Sequence, residues 1–280
     1  MLKANAVKKL AICSLVSTVA MGSSAMAHTT IQSTITADSS GVTSTNYNNI
    51  VIGHTCSLTT GTGNTAVTKE FPIQAQSVLF PTVEPLVYVD YVDSSSTKSD
   101  LTLEDLIGPA PTPRVPDPVS LGLAGIPQLI QSKDIFEKQS EKTDAEGNVI
   151  GFNSFKGNLD SSLHGLVPFR FNAIAFKTGV TGLTNSCVKK LLVKVAIADV
   201  CKTSFGKGGP KEGQANLWIP NTTTKFANVV DGTSATALAG SPATLTIENS
   251  SACANGSTVT VFPSNADIDN NLIIPKVWGK

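Results

Sequence analysis

An all-β chain folded as an antiparallel β-sandwich is what this sequence predicts, and two observations carry the prediction. Thr, Ser, Val, Asn and Gly are abundant, aromatic residues make up only 6% of the chain, and amphipathic helical periodicity is nearly absent. Short alternating or β-branched runs, broken by Gly, Pro and Asn, recur along most of the length instead. Strands at this density fit a sandwich better than a helical or α/β fold.

The first 27 residues stand apart from that pattern. Lys3, Lys8 and Lys9 form a positive start, Leu10 to Met21 an apolar run, and Ala25-Met26-Ala27 a small-x-small site, in the order of a secretory leader. The short leader reads as bacterial. Cleavage between Ala27 and His28 is expected, which directs the mature chain to the periplasm, or outward to the medium or cell surface. Cys13 lies inside the leader among apolar residues, so a lipid anchor there is not expected. No stretch approaches the ~20 apolar residues of a membrane span, so no transmembrane segment is expected.

Processing changes the balance of the chain. Loss of three lysines leaves 18 basic residues against 21 acidic ones. Such a surface argues against a nucleic-acid partner, which needs a concentrated basic face. Four cysteines remain, Cys56, Cys187, Cys201 and Cys253. In an oxidising compartment an even count reads as two disulfides, and the absence of Cys-x-x-Cys argues against a zinc ribbon or a dithiol redox centre.

Residues 28 to 280 read as one sandwich domain, immunoglobulin- or cupredoxin-like, with strands expected over 29–36, 47–56, 66–80, 86–92, 169–176, 188–201, 215–219, 243–247 and 257–262. The middle behaves differently. Pro109, Pro111, Pro113, Pro116 and Pro118 cannot build a central strand and favour extended polyproline. Polar stretches flank them, so 93–165 reads as a Pro-rich irregular insertion. Within it, short helices are expected from Leu101 to Ile107, capped by Asp100, and from Lys133 to Glu141, capped by Ser132. Asp144 to Asn148 reads as a turn, since its spacing departs from a calcium loop.

Strand geometry limits the disulfides. Leu191, Val193, Val195 and Ile197 alternate with Lys194, Ala196 and Ala198, and one continuous strand would hold Cys187 and Cys201 some ~45 Å apart. Two pairings remain: Cys56 with Cys201 and Cys187 with Cys253, or Cys56 with Cys187 and Cys201 with Cys253. Either closes long loops and adds roughly 2 to 4 kcal/mol of stability per bond.

Two histidines carry the functional signal. After cleavage His28 is the first residue, and its α-amino nitrogen and imidazole Nδ1 can close a chelate ring on one metal ion. In Ile50-Val51-Ile52-Gly53-His54-Thr55-Cys56 the even positions share a strand face, which places His54 with Ile50, Ile52 and Cys56. The plain reading of His54 is a partly buried structural residue at a sheet end, and the other is a ligand.

Ala27-His28-Thr29-Thr30, then Val51-Ile52-Gly53-His54-Thr55-Cys56, then a Thr-rich turn and the strand Thr68 to Val78, resemble the opening of YcnI-type copper-binding proteins of the bacterial envelope. The strand Val193 to Cys201, followed by Trp218-Ile219-Pro220, is similar to that family's late strand ending in Cys and the Trp strand after it. The resemblance implies copper, held by His28 through amine and imidazole with His54 as a third nitrogen, and it favours Cys56 with Cys201. It implies exchange with a copper donor or acceptor protein. Thr55 stands where many members have a second glycine, and the Gly-Trp pair expected after the early strands is absent. Glu70 or Glu84 could complete the metal shell, although each reads first as a solvent-facing carboxylate.

Other constellations are weaker. His164 follows Ser161-Ser162 without a nucleophile elbow, so no hydrolase, and no enzyme of another kind, is expected. Trp218 and Trp278 read as packing residues, and Asp267 to Asn271 as an Asx-rich turn. Asn221, Asn249 and Asn255 begin glycosylation triplets that carry no meaning in a bacterial envelope. Two function classes result: an exported, non-enzymatic copper-binding protein, or a structural or adhesive surface sandwich in which the histidines are incidental. They differ in whether the mature N-terminus folds back onto the sheet or trails into solvent.

Overall fold

Strand register, far more than local propensity, organises the molecule. The computed structural model describes residues 28–37, 45–53, 55–93, 95–108, 123, 126–202, 214–220, 222–226, 242–249 and 253–272. The leader, His54, Pro109 to Pro118 and Trp278 lie outside these described residues.

The fold is all-β. One sheet runs β1 (Thr30–Ile31), β3 (Thr45–Ile52), β11 (Gly165–Asn172) and β8 (Pro127–Leu129), each neighbour antiparallel to the next. A larger, curled sheet is ordered β2 (Ile35–Thr36), β14 (Ala243–Glu248), β12 (Val188–Val200), β6 (Ile73–Leu79), β10 (Val149–Leu159) and β9 (Phe136–Thr143). Off that path, β13 (Ala215–Trp218) and β15 (Ser257–Phe262) also pair with β12, and β7 (Leu86–Val89) pairs with β15. Two pairings, β12 with β15 and β14 with β2, are parallel, so this sheet is mixed rather than purely antiparallel. A separate hairpin joins β4 (Cys56–Thr60) to β5 (Val67–Phe71).

β12 is the spine. Its first half pairs with β14 and β15, its second half with β6 and β13. The sequence shows why: Leu191, Val193, Val195 and Ile197 face the main core, while Ala196, Ala198 and Val200 face a second apolar layer with Leu217, Phe226 and Ile268. A strand buried on both faces loses its polar alternation, and the run from Val195 to Val200 has lost it.

Both sheets feed the main core. Ile50, Ile52, Val167, Phe169 and Phe171 from the smaller sheet meet Val78, Phe80, Phe152 and the β12 residues from the larger. Phe80 lies 5.8 Å from both Phe152 and Phe169, centroid to centroid. Ile50 and Ile52 are fully buried, as their shared face on β3 predicts; Cys56 is fully buried too, but the expected strand over 47–56 is broken after Ile52 and Cys56 begins β4.

Cys56 bonds Cys201 and Cys187 bonds Cys253, with Cα separations of 6.1 and 6.2 Å. Gly256 permits the second bond, because any side chain there would collide with Cys253 Sγ and the Cys187 carbonyl.

Four local expectations need correction. The irregular insertion over 93–165 is narrower, because β8, β9 and β10 fall inside that span and β10 pairs with β6 within the large sheet. The helix expected over Lys133 to Glu141 is β9, which pairs with β10 through the Asp144–Asn148 turn; Asp144 Oδ1 accepts the Glu146 and Asn148 amides. Ladder partners override the helical leaning of Glu137, Lys138 and Glu141. Asp267 to Asn271 is helical rather than a turn. It forms most of α2 (Asn265–Asn271), capped by Ser264, whose Oγ accepts the Asp267 amide. The short helix near Leu101 exists as α1 (Leu103–Leu106), capped by Thr102 instead of Asp100.

Candidate functional site

At one end of the smaller sheet, where β1 begins, β3 ends and β13 closes, an interior polar cluster forms around Asp199. This residue lies near the end of β12 and is 0% exposed. An unsupported carboxylate there would be costly, since taking the charge out of water costs several kcal/mol. Three donors converge on it instead. Thr29 Oγ1 donates to Oδ2 at 2.5 Å, Trp218 Nε1 to Oδ2 at 2.7 Å, and Gln76 Nε2 to Oδ1 at 2.7 Å.

The register explains the convergence. Asp199 pairs directly with Gln76 on β6 and with Asn216 on β13, and Trp218 lies two residues along β13 on the same face. Thr29 comes from the opposite sheet, immediately before β1. Its hydroxyl crosses the interior to Asp199 and ties the residues just before β1 to the centre of the larger sheet.

His28 follows from that anchor. Its ring lies 5.0 Å from the Trp218 ring at an interplanar angle of 52°. Its Nδ1 is buried and has no hydrogen-bond partner among the described residues. A buried imidazole nitrogen without a described partner is an unsatisfied polar group, which is costly in an interior.

The corner that holds His28 is covalently fixed. Thr30 pairs with Val51, and two more residues along that register set His28 opposite Gly53. On the far side of the same connection the Thr55 carbonyl accepts from Asn216 Nδ2 at 3.2 Å, and Cys56 is bonded to Cys201. The residues flanking His54 are thus held at the His28 corner, while His54 itself lies outside the described residues.

The expected carboxylates are elsewhere. Glu70 is exposed on β5 opposite Ser57, and Glu84 is exposed in a turn. His164 is exposed just after a turn in which the Ser162 hydroxyl donates to Asp160. Trp218 is the packing residue that the sequence suggests, 1% exposed, but it also carries the hydrogen bond to Asp199 and the ring against His28. Asp199 was not singled out by sequence reasoning. Its signal is a lone acid within Val195 to Val200, where every neighbour is apolar.

Among the described residues, no group of three or more His, Cys, Asp or Glu side chains is placed to hold a metal ion. No described helix is long and apolar enough to cross a membrane. No family model, curated protein or solved structure matches this chain.

Proposed function

We propose that this is an exported, non-enzymatic copper-binding protein whose anchor is the mature N-terminal His28. The observation that carries the reading is the docking of residues 28 and 29: Thr29 is tied to buried Asp199, and His28 rests on Trp218 with its Nδ1 left without a partner among the described residues. A chain start that trailed into solvent would favour the structural or adhesive reading.

Leader cleavage at Ala27 would free the His28 α-amine beside that Nδ1. Together they close a ring on Cu(II), whose tetragonal preference suits amine and imidazole nitrogens and which leads the divalent affinity order. His54 is the third nitrogen in this reading, supported by the positions of Gly53 and Thr55. Asp199 acts as a positioning residue, since its carboxylate is already engaged by three donors. The resemblance to YcnI-type proteins supports the same metal and suggests a copper donor or acceptor as partner. An oxidising compartment such as the periplasm fits the two disulfides.

The test is a Cu(II) titration of correctly processed protein beside a version carrying one extra residue before His28. The extra residue turns the amine into an amide and removes one ligand, so affinity should fall at least tenfold. Equal affinity would sink the chelate and return the protein to the structural reading.

A further inference from the structure

A second site lies away from His28, at the seam where the β8 edge of the smaller sheet meets β9 and β10 of the larger. The cleft there has a volume of about 580 Å³, within the ~300 to 1,000 Å³ usual for small-ligand sites. Tyr47, Gln128 and Arg170 line it, with Glu141 across from them.

These side chains are set by register. Arg170 on β11 is the direct partner of Tyr47 on β3 and of Gln128 on β8, so the three form one row across three strands on the outward face. Tyr47 is 71% exposed, an unusual state for so large an apolar ring. Arg170 makes no ion pair or side-chain hydrogen bond with any described residue, although Glu141 lines the same cleft. Glu141 is held in place by accepting the Leu129 amide at 2.9 Å, which also covers that part of the β8 edge.

We propose that this cleft binds a hexuronate residue of an acidic polysaccharide. A guanidinium matches a planar carboxylate with two parallel hydrogen bonds, and a sugar acid supplies that carboxylate. The negative face of the Tyr47 ring suits the C–H edge of a pyranose lying over it. Gln128 and Glu141 offer acceptors for ring hydroxyls. A phosphate brings only acceptors and offers Glu141 no donor, whereas the ring hydroxyls of a uronate do, and a neutral sugar would leave Arg170 unmatched. A peptide carboxylate would lack the hydroxyl donors.

The test is calorimetry on the oxidised full-length protein, with a chelator present to remove copper. The probes are oligomers of galacturonate, guluronate and glucuronate, the same oligomers with carboxyls reduced to alcohols, and an acidic peptide. At least one uronate oligomer should bind, and its reduced form should bind at least tenfold more weakly. Arg170→Gln should weaken binding of the acidic oligomer by about tenfold or more, as expected for loss of a charge-assisted pair. Tyr47→Ala should weaken it as well. Both positions are exposed, so an unchanged melting temperature certifies the fold. Failure of all three uronates, equal binding of reduced oligomers, preference for the peptide, or unchanged affinity in Arg170→Gln would each overturn the proposal.

Discussion

Asp199 decides the geometry of the His28 corner one hydrogen bond at a time. Replacing it with alanine would strip the acceptor from three side chains, at about 1 to 3 kcal/mol for each buried donor left unsatisfied. Trp218→Phe removes one of those donors while keeping an aromatic ring beneath His28. Thermal unfolding should therefore rank Asp199→Ala well below Trp218→Phe. Copper affinity should fall in the alanine variant, where Thr29 loses its anchor, and hold in the phenylalanine variant. Matching melting temperatures for the two would contradict this account. Little of the cluster was legible in the sequence, because Thr29, Gln76 and Trp218 are 170, 123 and 19 residues from their common acceptor. Strand periodicity places Ile50 and Ile52 on one face of β3, yet periodicity within one strand cannot show what stands opposite.

Among the elements, α2 shows how a fragment can be readable in composition and opaque in role. Asp267 to Asn271 signalled a turn, and the same residues make a helix that covers the end of the larger sheet. Asp267 is buried and accepts from the Thr82 amide and hydroxyl, the Val83 amide and Asn271 Nδ2. At the other end, Lys142 Nζ donates to Ser77 Oγ and to the Asn271 carbonyl, both at 2.5 Å. Burial pushes this lysine down to about 7, with the nearby Asp267 charge opposing the fall. The unfolded chain then holds more protons than the folded one between about pH 7 and pH 10.5, so stability should rise as pH climbs through that window. Asp267 acts in the opposite sense. Burial raises it, so its contribution is present at acid pH and is lost as pH rises through the raised value. Lys194, lowered by burial, adds to the alkaline gain. Urea unfolding at pH 7 and pH 9.5 should show the wild type gaining stability and Lys142→Met gaining less. An equal gain in both would remove Lys142 as the source. β9 is opaque for a related reason: Glu137 to Glu141 look helical in isolation, and only pairing with β10 makes them an edge strand.

Across the whole molecule, the all-β class and the strand ladder from β11 to β15 were legible, because β-branched runs and turn residues mark strands locally. The insertion was drawn too wide because β8 to β10 carry polar residues on exposed faces. The disulfides link the two levels. Replacing Cys56 and Cys201 by alanine frees the connection on one side of His28, so both melting temperature and copper affinity should fall. Replacing Cys187 and Cys253 acts at the opposite end of β12 and should lower the melting temperature alone, with roughly 2 to 5 kcal/mol lost in either case. Loss of copper binding in the second variant only would reverse the assignment of the metal corner.

Cys187 and Cys201 sit just outside the two ends of β12, and this changes how the oxidised chain would carry tension. The shortest covalent route from His28 to Lys280 runs to Cys56, crosses to Cys201, travels backwards along β12 to Cys187, crosses to Cys253 and continues to the end. Stretched to its limit, that route spans roughly 250 Å, against about 860 Å for the reduced chain at ~3.4 Å per residue. Most of the polypeptide, including Gln128, Glu141 and Arg170 of the cleft, hangs as side loops off this short tether, while Tyr47 lies on the tether itself. Traction on the two ends would load β1, β3 and β12 and leave those loops unloaded.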